Sequence, residues 1–389
     1  MNHYPLQQVN PRYGNGSLSD LLPSVLALMG VPGETDRLAL AGSPIAQARR
    51  YAVLLLDGFG FHLLDTAKAA SATWRQIKRG ELGHLGSLTT NLPSTTPVSL
   101  ASMGSGTTPG DHGIVGFTVR VPESHDLLVH IYWNDEPDPF LWQPRATCFE
   151  RARAQGIYTA AVSPGRFSDS GVTRSALRGA DYYPADNPSD CASQMVRALE
   201  QGQRSLVFGY LPQVDTAGHR YGVGSVEWLD EVSAVSKGID QLLDTLPDDT
   251  ALLVTADHGM INVDYQIHLD DFPHLWDGVD VVAGDPRMRY LYTADGATED
   301  TIAAWRDTVG EYAEVLARDE AIARGWFGPT GDVHAERIGN VVVACQGTSG
   351  ILGATGEPAS LPKLIGHHGG YTASEMMIPL WKYIKDGSD

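Results

Sequence analysis

The chain has 389 residues, a length that fits one large α/β domain with an insertion, or two domains. Apolar residues make up 42% and charged residues 19% of it, which is the composition of a globular protein and excludes a disordered one. The 28 basic and 47 acidic residues give a net charge of −19. Such a surface repels a phosphate backbone, so we expect no nucleic-acid partner.

The cysteine usage and the N-terminus indicate a compartment. Three widely spaced cysteines without a C-x-x-C pair argue against a disulfide framework and favour a reducing environment. The first residues lack the basic and apolar stretches of a secretory signal, and no apolar run approaches the ~20 residues of a membrane span. We therefore expect a cytoplasmic protein without a membrane partner, and the sequence leaves its oligomeric state open.

The first chemical candidate follows a predicted central strand. A Ser-capped helix is predicted over Ser17–Gly30, and the apolar start of Tyr51–Gly60 predicts a strand that is buried on both faces. Asp57 ends this strand. Its carboxylate could cap a helix over Phe61–Lys68 or bind a ligand, and for this residue taken alone the cap is favoured.

The segment Gly83–Gly116 is dense in serine, threonine and glycine and poor in charge. The pattern predicts a helix with Thr96 as N-cap, Pro97 at the first helical position and Gly104 near its end. A hydroxyl at a helix N-terminus lies where an anion is also stabilised. A plain N-cap accounts for Thr96 but not for its long polar surroundings.

Two later strand ends carry acids and imidazoles. The apolar run Ser205–Leu211 predicts a strand, and on the loop expected after it Asp215 and His219 can point toward one place. An amphipathic helix over Val226–Leu246 leads to a short buried strand over Leu252–Ala256. This strand is followed directly by two good ligands for a divalent metal ion, Asp257 and His258.

After Met260 the pattern changes to an α+β insertion. It predicts a cap over residues 266–361, and a core formed by residues 1–265 and 362–389. Within the cap we expect a helix from about Thr298 to Ala317 and a strand over Asn340–Cys345. Its histidines are expected at the surface, at positions His268, His274 and His334. The closing segment offers one last imidazole, from His367 or His368.

Carboxylates and imidazoles without thiolates suit zinc, manganese or iron. Six such ligands are too many for one tetrahedral ion and fit two ions with three ligands each, a recurrent arrangement for displacement at phosphorus. A hydroxyl beside them would act as the nucleophile. The candidates are Asp57, Thr96, Asp215, His219, Asp257, His258 and one of His367 and His368.

These motifs together resemble the alkaline phosphatase superfamily, and within it the nucleotide pyrophosphatase/phosphodiesterase branch. The matching pieces, spread from Tyr51 to Pro379, are LLLDGFG, LPSTTPVSL, PGDHGIVG, VDTAGHRYG, TADHGM and GHHGG. The resemblance implies a three-layer α/β/α sandwich with an inserted cap. It also implies hydrolysis of phosphodiester or pyrophosphate bonds in a small phosphorylated substrate, such as a nucleotide, through a phospho-threonine intermediate.

The resemblance also implies a ligand set for two divalent ions, with zinc preferred over manganese or iron. One ion is held by Asp215, His219 and His368, and the other by Asp57, Asp257 and His258, with Thr96 bridging toward it as a further ligand. Thr95 is the alternative nucleophile because it restores the family's Thr-x-Pro spacing. His367 is the alternative to His368, which is preferred because the family's ligand directly precedes glycine.

Two departures from the family bear on the substrate. Phe117 occupies the place of an asparagine that donates to the substrate phosphate, and Ser99-Leu100 stands where the family has Asn-His. The sulfatase signature is absent around Thr96, and so is the arginine near the nucleophile that is typical of the superfamily's monoester phosphatases. A phosphomonoesterase or a phosphonate hydrolase on the same site remains the alternative, and a non-catalytic metal-binding protein is disfavoured.

Overall fold

A computed structural model describes residues 4–122 and 124–385. The β-strands of this part are β1 Arg50–Leu56, β2 His84–Thr89, β3 Thr118–Arg120, β4 Leu127–Val129, β5 Tyr158–Ser163, β6 Asp181–Pro184, β7 Ser205–Leu211, β8 Thr250–Thr255, β9 Ile261–Asn262, β10 Tyr265–His268, β11 Val279–Asp285, β12 Met288–Thr293, β13 Ala313–Ala317, β14 Val341–Cys345, β15 Ser349–Leu352, β16 Gly366–His367 and β17 Met377–Lys385.

The α-helices of the same part are α1 Leu21–Leu28, α2 Leu64–Ala67, α3 Ala72–Arg79, α4 Thr96–Ser105, α5 Pro109–His112, α6 Pro139–Trp142, α7 Cys148–Arg153, α8 Gly171–Ala176, α9 Pro188–Leu199, α10 Gln213–Tyr221, α11 Val226–Thr245, α12 Thr298–Val309, α13 Arg318–Ala323, α14 Asp332–Ala335 and α15 Ala373–Met376. No helix in the described residues combines the length and the apolar character that crossing a bilayer requires.

A seven-stranded sheet forms the centre of the fold, in the order β2-β17-β8-β1-β7-β5-β6. The strands from β8 to β6 run parallel, and β17 runs antiparallel to both of its neighbours. Every residue of β7 and β8 is buried, which explains why both strands read as continuous apolar runs. The helices α9 and α11 pack on one another, as do α1, α4 and α7. The α/β prediction is confirmed.

A second, antiparallel sheet lies in the later part of the chain, in the order β11-β12-β14-β13. Its side chains alternate between two apolar clusters, as the period of a strand requires. Val282 and Leu291 belong to a local cluster, whereas their chain neighbours Ala283 and Tyr290 join the large cluster of the main sheet. One face of this sheet is therefore packed against the rest of the molecule.

The helix expected from Thr298 to Ala317 is shorter than predicted. It ends at Val309, and Gly310 follows as its C-cap. Residues Ala313–Ala317 then form β13, which pairs with β14. The apolar residues of this stretch fit both the 3.6-residue period of a helix and the two-residue period of a strand. The stretch forms a strand because it pairs with the buried strand β14.

Candidate active site

The candidate ligands meet at the carboxyl edge of the parallel strands. Asp57 directly follows β1, and Asp257 follows β8 after one residue. The β7 strand leads into α10, which carries Asp215. His368 follows β16, and this short strand pairs with β9 just beyond His258. The open edge of an α/β sheet is where such folds bind ligands.

Asp215 and His219 lie on a helix and not on the loop that the sequence predicted. The helix α10 spans Gln213–Tyr221, so residues four apart fall on one face. Asp215 Oδ1 and His219 Nε2 are 3.4 Å apart. The helical spacing places the two side chains on the same face of α10.

The helix α4 begins at Thr96, one position earlier than predicted. Thr95 is the N-cap with an extended backbone, Thr96 is the first helical residue, and Gly106 at φ 71° follows the last one. Thr96 Oγ1 lies 3.2 Å from His258 Nε2 and 3.5 Å from Asp57 Oδ1. Thr95 Oγ1 is buried and lies beside the Asp285 carboxyl. Of the two threonines, Thr96 is the one whose hydroxyl faces the candidate ligands.

Asp57 does not act as a helix cap. The short helical turn after β1 begins at Phe61 with Gly60 as its N-cap, and no side chain caps it. The carboxylate of Asp57 instead accepts a hydrogen bond from the Tyr210 hydroxyl and faces Thr96 through its other oxygen. The structure therefore removes the alternative that the sequence favoured for this residue alone.

The carboxylates of this cluster are buried close to one another. Burial raises the pKa of the Asp57 carboxyl well above its usual range, and the charges of Asp257 and Asp215 raise it further. Burial also raises the pKa of Asp215, against the opposing effect of the nearby imidazoles. Asp215 Oδ1 and Asp257 Oδ2 are buried oxygens without a hydrogen-bond partner in the described chain. A cation would stabilise this arrangement.

Three imidazoles present the same nitrogen to the cluster. The Nδ1 atoms of His219, His258 and His368 lie 2.7, 3.0 and 2.9 Å from the carbonyl oxygens of Gly366, Gly259 and Ser94. A carbonyl only accepts, so each Nδ1 carries the proton and each Nε2 keeps a lone pair, which is the state of a metal-binding histidine. Burial also lowers the pKa of His368 well below its usual range.

These atoms form two adjoining groups that fit divalent cations. His219 Nε2 and His368 Nε2 are only 3.2 Å apart although both are acceptors, and Asp215 Oδ1 lies 3.7 Å from the latter. The second group contains Asp57, Asp257 and His258. His258 also lies within reach of Asp215 and His368, and its ring stacks on that of His368 with 3.6 Å between centroids. Oxygen and imidazole donors of this kind suit zinc, manganese or iron.

The remaining histidine candidates lie elsewhere. His367 Nε2 is 3.3 Å from the Leu364 carbonyl, and none of the nitrogen atoms of His367 belongs to the two groups among the described residues. His274 is exposed, and His268 and His334 are half-buried. His334 Nδ1 donates to the Gly110 carbonyl, 2.8 Å away.

The structure adds three residues that the motifs did not mark, and each touches a candidate ligand or its loop. Tyr210 donates to Asp57, Ser94 accepts from His368, and Glu375 accepts from the backbone near His368. The sequence could have marked Glu375, because Thr372 and Glu375 have the spacing of a capping box. The structure contains this capping box. Tyr210 was hidden in an apolar strand.

Comparison with known proteins first defines the class of fold. The chain matches a phosphonoacetate hydrolase from Sinorhizobium meliloti 1021 with a TM-score of 0.67 and 19% identity, over 86% of this chain and 90% of the other. It matches murine ectonucleotide pyrophosphatase/phosphodiesterase 5 with the same TM-score and 19% identity, over 86% and 89% of the two chains. The fold of this chain is therefore the one that these two solved structures share.

The family follows from the sequence match. The model of the type I phosphodiesterase / nucleotide pyrophosphatase family matches residues 51–371, and the chain belongs to this family. Ectonucleotide pyrophosphatase/phosphodiesterase family member 7 of Mus musculus is 24% identical over 245 residues, which are 58% of this chain and 53% of that protein. The chain thus spans about half the length of this curated relative, and a third of the rat one.

Proposed function

We propose that the protein hydrolyses phosphodiester or pyrophosphate bonds of a small phosphorylated substrate, such as a nucleotide, with Thr96 as the nucleophile. Membership of the family supports the reaction class. The observation that carries the proposal is the place of the Thr96 hydroxyl, 3.2 Å from His258 Nε2 at the start of a buried helix. A related murine protein has been solved in complex with AMP, which supports a nucleotide as the substrate class.

The proposal includes two divalent cations, with zinc preferred and manganese or iron as alternatives. Asp215, His219 and His368 would hold one cation. The other would be held by Asp57, Asp257 and His258. Bound cations would neutralise charge on the phosphoryl oxygens and lower the pKa of a nearby hydroxyl.

The chain's own residues account for the positioning of the substrate. The N-terminus of α4 places the positive end of a helix dipole at Thr96, where the negative charge of the phosphoryl group is stabilised. Thr96 Oγ1 attacks phosphorus, the bond to the leaving oxygen breaks, and the threonine proton ends on that oxygen. Water then cleaves the phospho-threonine, returns a proton to Thr96 and releases a phosphate monoester.

The residue Phe117 is the reason to keep the phosphomonoesterase and phosphonate hydrolase reactions as alternatives. Its side chain is half-buried and cannot donate a hydrogen bond, and its carbonyl is occupied by the His130 backbone NH, 3.0 Å away. Recognition of the phosphoryl oxygens therefore rests on other groups of the site. Comparison of bis-p-nitrophenyl phosphate, p-nitrophenyl phosphate and phosphonoacetate as substrates separates the three reactions, and we expect the diester to be turned over fastest.

The test of the nucleophile compares adjacent threonines. Thr96→Ala should lower the turnover of a nitrophenyl diester by about 10⁴-fold or more, with zinc content and melting temperature close to those of the wild type. Thr96→Ser keeps an oxygen in reach and should retain part of the activity. Thr95→Ala is the matched control, because it removes a buried neighbouring hydroxyl that lies beside Asp285, which is not a candidate ligand.

Near-normal turnover by Thr96→Ala, with metal bound, would show that Thr96 is not the nucleophile. If Thr95→Ala were then the inactive variant, Thr95 would take the role. Activity in both variants would point to direct attack by water.

A further inference from the structure

A buried ion pair joins the second sheet to the segment that carries His368. Arg287 lies between β11 and β12, and Glu375 lies in α15. Arg287 Nε donates to Glu375 Oε1 at 3.0 Å, and Nη2 donates to Oε2 at 2.9 Å. Both side chains are fully buried, at 0% exposure. Two parallel hydrogen bonds of this kind fix the orientation of the carboxylate as well as its place.

The other hydrogen bonds of Glu375 go to segments that carry candidate ligands. Its Oε1 accepts from the Gly370 backbone NH at 2.9 Å, and its Oε2 accepts from the Thr372 hydroxyl at 2.6 Å. Its main-chain carbonyl accepts from the Gly259 NH at 2.8 Å. Gly259 is the neighbour of His258, and Gly370 stands two residues after His368. One residue thus contacts the backbone beside two of the three imidazoles.

The packing around this turn is close. A Cβ added at Gly370 would lie 2.9 Å from both Glu375 carboxylate oxygens, and one added at Gly259 would lie 1.9 Å from the Ser374 carbonyl. On the other side of the turn, the Ser94 hydroxyl donates to the Gly370 carbonyl at 2.6 Å. The turn is therefore fixed between Ser94 and Glu375.

We propose that Arg287 and Glu375 are positioning residues for the proposed metal ligand His368. Arg287 orients the Glu375 carboxylate, the carboxylate sets the turn after His368, and the turn sets the direction of the His368 Nε2 lone pair. The inference rests on the proposed metal site and adds a role for the second sheet in building it. A buried ion pair contributes little net stability by itself, so stability alone does not account for it.

A neighbouring ion pair in the same sheet supplies a matched control. Arg289, on β12, lies 2.5 Å from Glu357 Oε1, and its side chain is also fully buried. Glu357 Oε2 accepts from the backbone NH groups of Gly353 and Ala354 at 3.0 Å, so this glutamate orders a turn as well. That turn carries none of the candidate ligands. The two pairs differ in what they hold, and Arg289 approaches Glu357 through one nitrogen whereas Arg287 and Glu375 share two hydrogen bonds.

The experiment titrates Co²⁺ into the metal-stripped full chain and records the visible spectrum of the bound ion. Glu375→Gln should weaken Co²⁺ binding about 10- to 100-fold, the range for residues that support a ligand, and should alter the spectrum. Glu357→Gln should leave both unchanged. Arg287→Lys keeps the charge but not the paired geometry, so it should shift the spectrum in the same direction by a smaller amount.

Wild-type Co²⁺ affinity and spectrum in Glu375→Gln would overturn the inference, and so would equal losses in Glu375→Gln and Glu357→Gln. If Glu375→Gln fails to fold, the Co²⁺ affinity and visible spectrum of Arg287→Lys test the inference instead. A wild-type chain that binds no Co²⁺ would instead contradict the proposed function, so the two failures are distinguishable.

Discussion

At the carboxyl edge of the main sheet, Asp57 and Asp257 are buried close to one another, and the basic group beside both in the described chain is the neutral imidazole of His258. In the second sheet, Arg287 and Arg289 are buried just as fully, but each faces a glutamate. The first region accumulates negative charge that its own residues do not balance, whereas in the second each buried arginine has a carboxylate beside it. A protein keeps an unbalanced buried cluster when something else supplies the missing charge.

The largest expected effect comes from removing one negative charge of the unbalanced region. Asp257 Oδ1 accepts from the NH groups of Gly58 and His258, both at 3.0 Å, while Oδ2 faces the cluster. Asp257→Asn preserves this shape and removes the charge. We expect loss of about one metal equivalent and a fall in diester turnover of at least about 10²-fold, beyond that for a merely supporting residue.

Metal analysis and turnover of Asp257→Asn provide the check, with the exposed Asp264→Asn as control. Wild-type metal content in Asp257→Asn would mean that this carboxylate balances no cation.

A smaller effect separates the adjacent histidines. His368 Nε2 lies 3.2 Å from His219 Nε2, whereas His367 Nε2 is directed to the Leu364 carbonyl and burial lowers the pKa of His367 to about 3. We expect His368→Ala to reduce the bound zinc toward one equivalent and His367→Ala to retain both. If His367→Ala were the damaging change, the assignment of the last ligand would be wrong by one residue.

The smallest effect concerns the pH dependence of the metal-free protein. Burial, followed by the charges of Asp257 and Asp215, raises the pKa of Asp57 in the folded state. Above the ordinary Asp pKa of about 3.9 the folded chain then binds more protons at this site than the unfolded chain, so stability falls as the pH rises through the raised value. Asp57→Asn should remove that loss.

The measurement is the melting temperature of chelator-treated wild type and Asp57→Asn from about pH 5 to pH 8, taken as the difference between the two proteins. The difference cancels the opposite contribution of buried histidines such as His368, whose lowered pKa makes stability rise with pH. We expect the melting temperature of Asp57→Asn to increase relative to that of the wild type as the pH rises. A constant difference would contradict the idea that Asp57 is strained by uncompensated charge.

The sequence predicted the parts of the fold that follow from local pattern. The strand over Ser205–Leu211 has the predicted limits, because a fully buried parallel strand is a continuous apolar run. The N-cap of α4 was misplaced by one residue, since Thr95 and Thr96 are equally good caps before a proline. The end of the helix at Val309 was missed because tertiary pairing of β13 decides it.

For the candidate site, the sequence predicted only separate ligands at the ends of separate strands. Acid and imidazole after apolar runs marked Asp57, Asp257 and His258, and the structure brings them together because parallel strands share one edge. The sequence could not predict that Arg287 pairs with Glu375, because Glu375 lies 88 residues away on another element. Contacts of that kind depend on how the two sheets pack.

The most direct test of the central claim is the zinc content of metal-saturated protein, measured with its diester turnover. Two adjoining groups of acids and imidazoles predict close to two equivalents per chain, with activity that is lost on chelation and restored by zinc. One equivalent with full turnover would contradict the account, because one of the two buried groups would then remain without the cation that it requires.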